Sequence, residues 1–319
     1  MVIITPRSAA SNAGNWHTAA RWARFLRRRY RVTVAARWDG READCMIALH
    51  ARRSADSIHA FASAYPSRPL IVVLTGTDLY RDIATDRAAQ RSLAVASRLV
   101  VLNELGARTL AARLRRKTSV ILQSARALSP GKRSARQFTV AVVGHLRGEK
   151  DPELVWNLLA HVDRDVPLRV LHAGGALDAS LGRKAMATAR KDSRYVWLGD
   201  LPRPAARQLV RRAHVLLHPS VMEGGAQVVI EAVTAHTPVI ASRIDGNVGL
   251  LGRDYPGSFA VGDAAHAARL LMRAAREPAF LRKLVKACAR RAPLFAPERE
   301  RRAVNRLVDN AIGHPTRKR

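Results

Sequence analysis

Short runs of β-branched and aliphatic residues alternate with longer amphipathic stretches along this chain of 319 residues. Residues 2–5, 31–36, 44–49, 70–74, 99–102 and 119–122 read as strands. Between them the spacing predicts helices over 16–29, 54–64, 86–96 and 105–114, the first turning Trp22, Phe25 and Leu26 inward. Residues 124–137 break the rhythm with Ser129-Pro130-Gly131-Lys132-Arg133, a polar, turn-rich run that reads as a linker. The alternation then restarts, with strands over 139–143, 168–172, 195–198, 215–217 and 238–241. Helices are expected over 152–159, 177–189, 204–213 and 226–235, and a last one over 297–312.

Short apolar strands separated by helices imply parallel sheets covered on both faces. Two halves of similar size imply two doubly wound, Rossmann-like α/β domains, with ligands expected where the C-terminal ends of strands meet. The expected division is 1–123, a linker over 124–137, a second domain over 138–296, and a C-terminal helix and basic tail over 297–319 that crosses back onto the first domain.

Charge adds one unusual property: 55 Lys+Arg against 25 Asp+Glu, a formal net charge of +30. Such a chain suits anions, whether nucleotides, phosphates, nucleic acid or anionic lipid. The arginines are spread along the chain rather than gathered into an arm, and aromatics are only 5%, without an aromatic RNA-binding strand. No nucleic-acid partner is therefore expected. Cys45 and Cys288 are too few for a disulfide framework or a cysteine metal site. No apolar run approaches the roughly 18 residues of a spanning helix, and the N-terminal run stops at Pro6. A cytoplasmic protein without stable membrane association is expected.

The densest chemistry lies in His218-Pro219-Ser220-Val221-Met222-Glu223-Gly224-Gly225-Ala226-Gln227-Val228-Val229-Ile230-Glu231-Ala232. A strand ends, a turn holds one carboxylate, a glycine pair opens a helix, and a second carboxylate lies two turns in. Gly224, Gly225 and Ala226 allow a ligand close to the backbone, where free amides favour a phosphate. Glu223 is placed to accept hydrogen bonds from sugar hydroxyls and Glu231 to clamp a ribose diol. Taken alone, the two acids also fit an ordinary helix with Glu223 at its cap and Glu231 solvated.

The wider stretch from His218 to Ser242, with Glu–seven residues–Glu and Thr237-Pro238-Val239-Ile240-Ala241-Ser242, resembles the family-four glycosyltransferases of the GT-B class. Ala235-His236-Thr237 replaces their usual small-residue turn. The segment Val142-Val143-Gly144-His145-Leu146-Arg147-Gly148-Glu149-Lys150-Asp151-Pro152 is similar to the one that supplies an arginine and a lysine to the donor diphosphate. Lys150 fits the lysine. His145 stands at the arginine position, and the arginine role passes to Arg147. The resemblance implies two facing Rossmann-like domains, with the donor sugar-nucleotide in the second. Two cations beside the leaving diphosphate would stabilise the charge that grows as the glycosidic bond breaks.

The first domain is then expected to hold the acceptor, with Gly14 and Asn15 approaching the diphosphate from their side. Candidates are the segment from Asn12 to His17, His50-Ala51-Arg52-Arg53-Ser54, and Thr75-Gly76-Thr77-Asp78-Leu79-Tyr80-Arg81-Asp82. A lone His17 or His50 also fits a structural role, and Asp78 a helix cap. Guanidinium groups at Arg52, Arg53 and Arg81 suit an anionic acceptor, with His50, Thr77 and Asp78 beside them. These segments, together with Trp38-Asp39-Gly40 and Val143-Gly144-His145-Leu146-Arg147, resemble the selenosugar synthases of selenoneine biosynthesis from Thr5-Pro6 to Glu231. That family couples a UDP-sugar, typically UDP-N-acetylglucosamine, to selenophosphate, alongside partner enzymes of its pathway. No cofactor or metal is expected, since no Asp-x-Asp pair is read as placed to bind a divalent ion with a nucleotide-sugar. Two alternatives stay open: a UDP- or GDP-sugar transferase acting on a lipid or polysaccharide, and a non-enzymatic basic protein that binds nucleic acid.

Overall fold

A computed structural model describes residues 1–6 and 14–313; Asn12 and the chain beyond residue 313 lie outside them. The chain forms two compact units, Met1–Gln123 with Pro297–Arg319, and Ser124–Ala296.

In the first unit the described residues form one parallel sheet in the order β2-β1-β3-β4-β5-β6. Its strands are β1 (Val2–Ile4), β2 (Thr33–Ala35), β3 (Met46–Leu49), β4 (Leu70–Leu74), β5 (Arg98–Val101) and β6 (Thr118–Val120). They alternate with α1 (Gly14–Leu26), α2 (Ala55–Ala64), α3 (Ile83–Thr85), α4 (Arg87–Val95) and α5 (Ala112–Arg115). Successive side chains of a strand face opposite ways, so β4 feeds two cores. Leu70, Val72 and Leu74 meet Ile58 and Phe61 on one face, while Ile71 and Val73 meet Trp22 and Leu26 on the other.

Helix α13 (Pro297–Ile312) crosses back onto α1, adding Val304, Leu307 and Val308 to the second of these cores. Two buried acids fasten it. Glu300 accepts from Arg21 Nε at 2.7 Å and Trp22 Nε1 at 2.8 Å, and Asp309 accepts from the Arg29 guanidinium and the Tyr30 hydroxyl. Trp22, Phe25 and Leu26 are all buried here, so these residues of α1 face the core. The helix expected over 105–114 is instead a 3₁₀ turn, Gly106–Thr109, followed by extended backbone at Leu110 and then α5. That break lets Leu110 drop into the core.

The second unit, among the described residues, has a parallel sheet in the order β12-β11-β10-β7-β8-β9. Its strands are β7 (Phe138–Val143), β8 (Leu168–Ala173), β9 (Tyr195–Trp197), β10 (Val215–His218), β11 (Val239–Ser242) and β12 (Ser258–Phe259). The helices expected here form as α6 (Pro152–Leu158), α7 (Ala179–Lys191), α8 (Arg203–Arg212) and α9 (Gln227–Thr234). Three more, with β12, fill a stretch the hydrophobic pattern left unassigned: α10 (Asp245–Leu251), α11 (Ala264–Arg276) and α12 (Pro278–Arg291).

The run read as a linker lies along this unit. Ala125 N–H donates to Phe295 O, Leu128 N–H to Thr234 O, and the Arg207 and Arg211 guanidiniums to the carbonyls of Arg126 and Ser129. In each sheet the strand order reverses beside its first strand: between β1 and β3, and between β7 and β10. Loops that leave such neighbours in opposite directions open a crevice at the strands' C-terminal ends. Gly14, Asn15, His50, Arg52 and Arg53 follow β1 and β3, and His145, Arg147, Lys150 and Glu223 follow β7 and β10, while Thr77, Asp78 and Arg81 follow the neighbouring β4 and Glu231 lies on α9.

Candidate active site

The loop after β7 is built on close backbone contacts. Gly174, at φ 153°, lies so near the Gly144 carbonyl that a Cβ would come within 1.9 Å of it. A Cβ on Gly144 would in turn meet the Lys150 side chain at 3.3 Å. Lys150 therefore runs along bare backbone and reaches across to the loop after β10, where its Nζ bonds Glu223 Oε1. Asp151, with a left-handed backbone at φ 45°, ends this loop and caps α6 through Leu154 N–H.

From the other side, Val221 N–H donates to Glu149 O at 3.0 Å and stitches the two loops together. The Glu223 carbonyl rests on α10, where a Cβ on Gly246 would meet it at 2.1 Å. Behind it, Ser242 Oγ donates to Ser220 O and Asn247 Nδ2 to Ser242 O. His218, buried at the end of β10, has Nε2 3.3 Å from the same Glu223 Oε1. Burial works to raise the Glu223 carboxyl, but the Lys150 charge and the close approach of the His218 ring outweigh it and hold the acid well below the usual carboxylate range. Burial depresses His218, against the pull of Glu223, so it stands neutral beside an ionised acid.

Gly224, Gly225 and Ala226 lead into α9, whose N-terminus carries no side-chain cap, an arrangement that favours an anion. Glu231, further along α9 and nearly buried, has partners of its own. Its Oε1 accepts from Arg203 Nε at 3.1 Å and Nη2 at 2.6 Å, with Arg207 Nε at 3.9 Å. Neither arginine was singled out by the sequence motif. Their signal is that α8, Arg-Pro-Ala-Ala-Arg-Gln-Leu-Val-Arg-Arg, contains no acid to pair with them.

His145 accepts from Gly175 N–H through Nδ1, and burial depresses its ring, opposed by Asp200. Arg147 Nε lies 3.9 Å from Glu149 Oε2, on a side chain about a third exposed. The structure thus joins Lys150, Glu223 and His218 in one contact network. Glu231 belongs to a second network, with Arg203 and Arg207.

In the first unit, Gly14 and Asn15 form the start of α1, where Gly14 O accepts from Thr18 Oγ1. The other candidates gather after β3 and β4. His50 is buried with a left-handed backbone at φ 72°, a conformation costly for a residue with a Cβ. Its Nδ1 accepts from Arg53 N–H, which leaves Nε2 to donate to Thr77 Oγ1 at 2.9 Å in the neutral ring that burial favours. Asp78 is fully buried and accepts from three backbone amides, those of Ala51, Thr75 and Gly76, and so ties the two loops together.

Beyond it the chain winds as a π-helical turn, Asp78–Asp82, a feature common at functional sites. Arg52 pairs with Asp86 at 2.9 Å and Arg81 with Asp82 at 3.1 Å, each guanidinium about half exposed. Asp82, the last residue of the expected acceptor segment, and Asp86, outside it, are therefore part of this cluster. The one run of alternating aspartates in the loop before β8, Asp163-Arg164-Asp165, lies at the opposite end of its sheet from the donor loops, and Arg276 pairs with both carboxylates. Among the described residues no helix is long and apolar enough to cross a membrane.

Residues 128–292 match the family described as glycosyl transferases group 1. No protein of curated function matches the sequence significantly. The fold is similar to that of HepE from Anabaena in complex with UDP-glucose, at a TM-score of 0.78 and 14% identity over 97% of this chain and 99% of that one. It is equally similar to sucrose-phosphate synthase from Thermosynechococcus elongatus, at 0.78 and 16% identity over 98% of each chain. The pneumococcal O-GlcNAc transferase GtfA in complex with UDP and GlcNAc aligns at 0.66 and 14% identity, over 84% of this chain and 57% of that one.

Proposed function

This chain belongs to the glycosyl transferases of group 1, and on that premise we propose that it joins the sugar of UDP-N-acetylglucosamine to selenophosphate. The observation that carries the donor half of this reading is the meeting of Lys150 and Glu223 at the point where the second sheet's strand order reverses. A cation for the diphosphate and an acid for the sugar hydroxyls stand together there, with Glu231 on the following helix, α9, for the ribose. The complexes of HepE with UDP-glucose and of GtfA with UDP and GlcNAc support a UDP-sugar as donor.

In the proposed reaction selenium attacks the anomeric carbon. The C–Se bond forms as the bond to the β-phosphate oxygen breaks, and UDP leaves with that electron pair. Lys150 and Arg147 stabilise the departing charge, with the amides at the start of α9. Attack of water on phosphorus then breaks the P–Se bond, giving phosphate and the selenol sugar. A selenium anion needs little help from a base, so the task is chiefly to hold two anions together. Arg52, Arg53 and Arg81 supply the charge for the acceptor, with His50 and Thr77 beside them and Asp78 holding their loops. No metal is assigned a role.

The test is an anaerobic reaction of UDP-N-acetylglucosamine with fresh selenophosphate, following UDP and the selenium-containing sugar by mass spectrometry. A selenosugar that disappears in Glu231→Ala and Lys150→Ala supports the reading. UDP-sugar turnover with another acceptor, and none with selenophosphate, would retain the transferase and remove the selenium.

A further inference from the structure

A glutamate that is to hold a ribose diol must offer its carboxylate at a fixed place, yet a glutamate on a helix surface rotates about three bonds. In this protein Glu231 does not rotate freely. Two N–H groups of Arg203 close on its Oε1, and Arg207 adds a second positive charge 3.9 Å away. Arg207 is itself anchored, its Nη2 donating to Arg126 O at 2.7 Å in the segment that lies along the unit. The acid is 9% exposed while Arg203 is 35% exposed. The carboxylate thus sits inside and its clamp lies at the rim.

We propose that Arg203 is a positioning residue for nucleotide selection: by holding Oε1 of Glu231 it fixes the carboxylate that tells a ribonucleotide from a deoxyribonucleotide. This inference rests on the proposed UDP-sugar reading. Its physical basis is preorganisation, because a carboxylate ordered before the ligand arrives loses little entropy on binding. Two donors of one rigid guanidinium also hold that oxygen more firmly in place than a lysine's rotatable ammonium would.

The experiment compares Kd for UDP and for 2′,3′-dideoxy-UDP by calorimetry, in wild type, Arg203→Ala, Arg203→Lys, Glu231→Gln and Arg203→Ala/Glu231→Gln. A hydrogen bond to a charged group supports a preference for UDP of about ten- to a hundredfold in wild type. Arg203→Ala is expected to reduce this ratio to near one, with Arg203→Lys in between and no further change when Arg203→Ala is added to Glu231→Gln. A uniform loss of affinity for both nucleotides in Arg203→Ala, with the ratio kept, would overturn the inference. So would tighter UDP binding in that variant, since it would make Arg203 a competitor for the diol. Failure of wild type to bind UDP would overturn the donor reading as well. Discrimination that needs Glu231 but not Arg203 would remove this inference alone.

Discussion

Lys150 and Glu223 lie 73 residues apart in sequence and meet Nζ to Oε1, each on the first loop beyond a strand at the reversal point of the second sheet. Neither side chain is more than a fifth exposed, so neither ion is well served by water. The pair places opposite charges where a diphosphate and a sugar would arrive. Binding of a phosphate then requires Lys150 to divide its attraction between two anions.

Lys150→Met is expected to lower kcat by about 10²–10³, the usual loss when a donor to a developing negative charge is removed. It also leaves Glu223 buried without its cation. In wild type the carboxyl is depressed, so its contribution to stability is complete above the ordinary carboxylate pKa and declines as pH falls below it. In Lys150→Met burial raises the carboxyl instead, and the stability contribution should fall as pH rises. Denaturant unfolding at pH 5 and pH 8, a window in which Glu223 adds no slope in wild type, reads the appearance of this fall in the variant relative to wild type. A variant with wild-type pH dependence would show that Lys150 does not hold Glu223 ionised.

His172 gives a separate pH signature. It is buried on β8, its Nδ1 on the Tyr195 hydroxyl and its Nε2 3.3 Å from Gly144 O, and burial lowers it from 6.5 to about 4. Between those values the unfolded chain binds a proton that the folded one refuses, so stability rises with pH across that window. The contribution amounts to about 3 kcal/mol. His172→Gln should make the rise between pH 4 and 6.5 shallower, the remainder being carried by other depressed histidines such as His50, His145 and His218, while leaving the arm below the carboxylate range, where Glu223 acts.

Gly246→Ala tests the support beneath Glu223. The added methyl would fall 2.1 Å from the Glu223 carbonyl oxygen, backbone that cannot swing aside. The expected outcome is a loop displaced from α10 and a raised KM for the donor, with overall stability reduced by about 1–3 kcal/mol. Unchanged donor kinetics would place Glu223 outside the donor's reach.

Glu300→Ala should destabilise the first unit by about 3–5 kcal/mol, because Arg21 would be left buried without its carboxylate. Urea unfolding followed by fluorescence, in a variant that keeps Trp22 and replaces the other tryptophans by Phe, reads the change. Replacing Arg21 and Glu300 together by Met and Leu should recover much of the loss.

Much of this molecule can be read from its residues, and the part that cannot has a physical reason. Runs such as Leu70-Ile71-Val72-Val73-Leu74 announce strands buried on both faces, and the glycines and acids from Gly224 to Glu231 announce a helix opening onto a ligand. Arg203 carried no such mark, because its value lies in a partner 28 residues away and arginine is the commonest surface charge in this chain. Asp78 could be read from sequence as an acceptor residue or as a helix cap, and its spacing did not announce the amides of Ala51, Thr75 and Gly76 that its carboxylate accepts. A motif gives residue type and spacing. It does not say which side chains already have partners. The 243–296 stretch went unassigned for a related reason: β12 is two residues long, and α11 and α12 are parted only by Glu277.

Because α13 supplies Val304, Leu307 and Val308 to the core that Trp22 occupies, the first unit is written in two pieces with the second inserted between them. On the ribosome the second unit therefore has all of its residues before the first does. The first unit's sheet must wait, with one side of α1 uncovered, until α13 emerges. Proteolytic loss of that helix should injure the residues made before the second unit rather than those beside the cut in sequence, and co-translational chaperones should find a long-lived target at Trp22.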